Sequence, residues 1–65
     1  MQNLEKVKNY LDKAYQKLLD RASNLNEENL TSLKNYQNLI KESNEVNIII
    51  MILEMSFEII IKSKL

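Results

Sequence analysis

Apolar residues recur along the first third of the chain at alternating steps of three and four: Leu4, Val7, Leu11, Ala14 and Leu18, with Ala22 continuing the row. This spacing puts them on one face of an α-helix and predicts an amphipathic helix over about residues 3–22, with Asn3 as its N-cap. Tyr10 and Tyr15 flank the stripe, and Lys6, Lys13 and Lys17 share the outer face with Glu5, Asp12 and Asp20. The pattern breaks at Ser23-Asn24-Leu25-Asn26. Asn26 can cap a second helix, Glu27 and Glu28 complement its dipole, and Leu25 and Leu30 hold the positions of a hydrophobic staple. That helix runs over about 27–42, with Leu30, Leu33, Tyr36 and Ile40 as its stripe and Gln37 inside it. Ser43-Asn44-Glu45 predicts a second turn, with Asn44 as cap and a third helix over about 45–62. The alternative is a hairpin whose second helix runs on through 27–62, since Ile40, Asn44, Ile48, Ile52, Met55 and Ile59 also form a continuous row.

The last segment holds Ile48-Ile49-Ile50 and Ile59-Ile60-Ile61, which favour strands on propensity alone. Its polar residues decide otherwise. On a wheel of 100° per residue, Asn47, Glu54, Glu58 and Lys62 fall in one wedge, and Glu58 and Lys62 make a favourable i, i+4 pair. Apolar side chains fill roughly 240° of the remainder, interrupted by Ser56 and Ser63, against the arc of about 100° that an outer bundle helix needs. They divide into two sub-faces: Val46, Ile50, Leu53, Phe57 and Ile60, and Ile48, Ile52, Met55 and Ile59. Two short helices of the same chain can cover the first sub-face and part of the second. The second is therefore expected to be a self-association interface, Ile48, Ile52, Met55 and Ile59, in a two-fold homodimer.

Composition supports an all-α fold in one domain, residues 1–65. The chain has no glycine and no proline, the residues that punctuate sheets. At 65 residues its core supplies about 3–5 kcal/mol. With no cysteine and no histidine, neither a disulfide nor the usual zinc site can add to this, so a partner subunit is the remaining staple.

The same absences bear on chemistry. The serines have no histidine to activate them, Glu54 and Glu58 lack the histidine that helical metal sites use, and no glycine-rich loop can cradle a phosphate. Neither a cofactor nor enzymatic activity is expected. Nine basic residues balance nine acidic ones, which disfavours nucleic acid, a ligand that calls for a basic field. A nucleic-acid or partner surface, if present, is the strip Lys6, Tyr10, Lys13 and Lys17. Residues 46–61 are too short to span a bilayer, though lying on a membrane surface is a second alternative. The first twenty residues carry four lysines and no apolar core segment, so a cytoplasmic product is expected. The wealth of Asn, Ile and Lys suits an AT-rich genome, such as a low-GC bacterium or its phage. The expected role is a non-enzymatic interaction module that binds an unidentified protein target as a regulator, inhibitor or adaptor.

Overall fold

The computed structural model describes residues 2–22 and 25–64, and the side chains of 3–22 and 25–63. Three helices follow in order: α1, Gln2–Arg21; α2, Glu27–Glu42; α3, Val46–Lys64. The break between α2 and α3 is real, so the hairpin with one long second helix does not form. Among the described residues there is no strand, and no helix is long and apolar enough to cross a membrane.

The turn chemistry explains these boundaries. The Asn26 side chain accepts a hydrogen bond from the Asn29 backbone N–H at 2.8 Å, and Glu27 and Glu28 occupy the first turn. Leu25 and Leu30 both pack against the core. Replacing Asn26 by Ala removes this cap and is expected to cost about 0.5–2 kcal/mol, read from urea denaturation at fixed protein concentration. The second turn differs from expectation by one residue. Ser43 Oγ accepts from the Glu45 N–H at 3.2 Å, and the Glu45 carbonyl takes the first α3 bond, from Ile49. Asn44 instead accepts from Lys8 Nζ at 3.5 Å. Asn3 lies inside α1 rather than capping it. Ser23 and Asn24 lie outside the described residues.

Helix α2 is the middle element, packed against both α1 and α3. Among the described residues no α-carbon of α1 comes within 8 Å of one in α3. The core is built from Tyr15 and Leu19 of α1, Leu33 and Ile40 of α2, and Ile49, Ile52 and Ile60 of α3. Helix α1 is turned by roughly 50° from the orientation its hydropathy predicts. Tyr15 and Leu19 face inward, Leu4, Leu11, Leu18 and Ala22 are half-buried, and Val7 and Ala14 are exposed.

Polar contacts fix this rotation. Gln37, buried in α2, donates from Nε2 to Asp12 Oδ1 at 2.7 Å and to the Asp12 carbonyl at 3.4 Å. Lys41 adds an ion pair to the same carboxylate at 3.3 Å. Asp12 therefore belongs to the α1–α2 seam, not to the outer face. On the other side, the fully buried Ser56 donates to the Ile52 carbonyl at 2.8 Å. Its single proton is thereby used, so the Tyr15 hydroxyl, 2.7 Å from Ser56 Oγ, is the donor in that contact. Tyr15 is a core residue with a buried hydroxyl, where the hydropathy pattern places it at the flank of the stripe.

Burial pushes the Tyr15 phenol above its ordinary value, with the Ser56 hydrogen bond opposing and nearby Tyr36 adding to the rise. A pKa raised by folding contributes stability that is complete below the unfolded value of about 10 and is lost as pH climbs through the folded value. Stability followed by urea denaturation is expected to fall as pH climbs above about 10, and to fall less steeply in Tyr15→Phe, which lacks the titrating phenol.

Candidate interaction surface

Among the described residues no group of three metal-ligating side chains converges, and no buried side-chain polar atom lacks a partner. Glu58 pairs with Lys62 at 3.1 Å, the helical ion pair its spacing predicts. What the chain presents to its surroundings is apolar surface.

Helix α3 carries most of it. Its inward seam is Ile49, Ile52, Ser56 and Ile60, which lies between the two sub-faces read from the sequence and takes one residue from each. Val46, Ile50, Met51, Phe57 and Ile61 are left between 48% and 60% exposed. Full burial of such a side chain contributes about 1.5–3 kcal/mol, so this half-exposure forgoes roughly 4–7 kcal/mol per chain. That matches or exceeds the whole net stability expected of a core this small, about 3–5 kcal/mol.

The bulk dimensions agree. A compact monomer of 7.7 kDa has an accessible surface of about 4,300 Å², whereas this chain exposes 5143 Å². Its radius of gyration is 11.9 Å, against about 10.7 Å for a compact domain of this length. The surplus area, on the order of 800 Å², goes with an elongated body of 38 × 19 × 16 Å.

The exposed residues form two faces. The first is a groove of about 260 Å³ between α1 and α3, lined by Leu11, Ala14, Tyr15, Leu18, Leu53 and Phe57. It opens because α2 holds its two neighbours apart, and Val7 of α1 and Ile50 and Ile61 of α3 are exposed as well. The second is a recess of about 400 Å³ between α2 and α3, where Tyr36, Leu39, Ile48, Met51 and Met55 meet.

Of the four residues expected to mediate self-association, Ile48, Ile52 and Met55 line the second recess, while Ile59 packs against the core. Ile52 is buried in the core and Ile59 is half-buried, while Ile48 and Met55 remain 39% and 38% exposed beside the second recess. Helix α2 covers the edge of the arc that holds Ile52 and Ile59. The sub-face assigned to burial, Val46, Ile50 and Phe57, is the more open one. Its apolar character was legible in the sequence; which flank the neighbours would leave bare was not.

Lys6, Tyr10, Lys13 and Lys17 are all exposed and run in one strip along α1, next to Val7 and Ala14. They form the outer rim of the α1–α3 groove. Glu5 and Asp20 lie on the far side of the strip, where Asp20 accepts from Gln16 Nε2 at 3.1 Å. On the α3 side the corresponding rim is acidic, with exposed Glu54 and Glu58 beyond Ile50 and Ile61.

No protein-family model matches this chain, and no curated protein or solved structure shows significant similarity to it.

Proposed function

We propose that this chain is a non-enzymatic helical interaction module that self-associates through the apolar surface of α3 and its neighbours, and in that state regulates, inhibits or links another protein. One observation carries the reading. Helix α3 keeps large apolar side chains in water on both flanks of its buried seam. A surface of that kind is built to be covered.

Charge favours a protein partner over the alternatives. The lysine strip is offset by neighbouring acids in a chain of zero net charge, whereas phosphate backbones reward a basic field. The polar wedge of α3 carries two glutamates where membrane-surface helices usually carry Lys or Arg.

Sedimentation equilibrium tests the self-association. A dimer mass at micromolar concentration is expected, with dissociation on dilution. A single-chain mass up to the solubility limit overturns the reading, and binding to neutral or anionic liposomes in place of self-association redirects it to membrane surfaces.

A further inference from the structure

We propose that the open α1–α3 face is completed by the same face of a second copy, related by a two-fold axis parallel to the helices, so that α1 of each copy lies along α3 of the other. This rests on the self-association reading and specifies its surface and geometry.

The register within one chain is fixed by contacts on the page. Asp12 meets Gln37 and Lys41, and Lys8 meets Asn44, so α2 runs antiparallel to α1, and α3 returns parallel to it. Tyr15 bonds Ser56, 41 residues later, and Leu53 and Phe57 line the groove alongside Leu11, Ala14 and Leu18. A residue of α1 is thus level with the one 41 positions later in α3. At that offset Lys13 is level with Glu54, and Lys17 with Glu58. Each pair sits on opposite outer rims of the groove, and among the described residues neither lysine forms an ion pair within its own chain.

A two-fold axis along the helices preserves level and exchanges rims. It brings Lys13 to the partner copy's Glu54 and Lys17 to the partner copy's Glu58, twice over by symmetry. The other face-to-face arrangement, with the axis across the helices, stacks α1 on α1 and α3 on α3, setting lysines against lysines and glutamates against glutamates. Like-charge juxtaposition disfavours it. The parallel arrangement also suits the shapes. Phe57 lies level with the stretch between Ala14 and Leu18, so the ring seats on the partner's α1 where Ala14 leaves room, inside a ring of apolar contacts from Val7, Leu11, Ile50 and Ile61.

The test mixes charge-reversed variants, all at exposed positions. K13E/K17E carries acid on both rims and E54K/E58K carries base on both. Each alone is expected to self-associate at least about tenfold more weakly than the parent chain, with unchanged helicity by circular dichroism. Mixed in equal amounts they are expected to form a one-to-one heterodimer, seen by native mass spectrometry. Because the chain has no cysteine, an independent readout is available: Lys17→Cys mixed with Glu58→Cys should give a disulfide-linked heterodimer under mild oxidation, in excess of either homodimer. A parent dimer that both charge-reversed variants form equally well overturns this geometry and points to the α2–α3 recess, leaving self-association standing. Loss of dimer in each variant without recovery on mixing also overturns it. A parent chain that stays single at every concentration overturns both.

Discussion

Leu33→Ala is expected to leave a large part of the population unfolded at 25 °C. Leu33 is 0% exposed and lies on the middle helix, where the packing of α1 and α3 converges. Removing a buried leucine down to its β-carbon costs about 2–5 kcal/mol, the higher figures where the surroundings cannot collapse into the cavity. Here α2 is held from both sides, so collapse is restricted, and the chain commands only about 3–5 kcal/mol in total. A thermal melt followed at 222 nm, at one protein concentration because self-association of the proposed kind would couple to stability, is the measurement. A fall in Tm smaller than about 15 °C corresponds to less than about 2 kcal/mol in a domain of this length, and shows that Leu33 is not the centre of the core.

The Tyr15–Ser56 pair predicts an asymmetry between two small substitutions. Ser56→Ala removes an acceptor and leaves a buried phenol hydroxyl without a partner, at a cost of about 1–3 kcal/mol. Tyr15→Phe removes the donor, but Ser56 Oγ still bonds the Ile52 carbonyl, so the loss is nearer to an ordinary hydrogen bond, about 0.5–1.5 kcal/mol. The double variant contains no orphaned group and should lie close to Tyr15→Phe alone, well short of the sum of the two changes. Urea midpoints of the four proteins close the cycle. Additive losses would place water at the hydroxyl and remove the case for a dry polar bridge between α1 and α3.

These two residues also mark how much of the fold could be read from the chain. Helix number, the Asn26 cap and the turn after Glu42 are local properties, encoded by neighbours a few positions apart, and hydropathy period with capping chemistry finds them. The rotation of α1 is not local. A wheel ranks Leu11 and Leu18 above Tyr15 by hydropathy, yet Tyr15 is inside because Ser56, on another helix, accepts its proton. Asp12 likewise reads as an outer-face acid until Gln37 and Lys41 of α2 are brought to it. Gln37 itself was visible as a polar residue inside an apolar stripe, and such an interruption is the one sequence signal of an interhelical polar contact.

The interaction surface divides in the same way. That α3 has more apolar arc than two short helices can hide follows from its composition, and the structure retains that excess. Which residues remain bare depends on where α1 and α2 lie. They cover the seam through Ile49, Ile52, Ser56 and Ile60, and leave a flank on either side. The lysine strip on α1 was legible as charge; its placement level with Glu54 and Glu58 required the register that Tyr15 and Ser56 set.

The isoleucine-rich build of α3 has a consequence for the chain when it is not folded. Ile48 to Leu53 is an uninterrupted uncharged run without glycine or proline, the composition from which dry steric zippers assemble. In the folded chain it is helical and packs in a core shared with α1 and α2. Glu45 and Glu54 bracket the run as gatekeepers, adding charge at both ends of any stacked array. Conditions that melt the bundle expose this segment to stacking between chains, and its packing within the folded bundle protects the protein from its own most adhesive stretch.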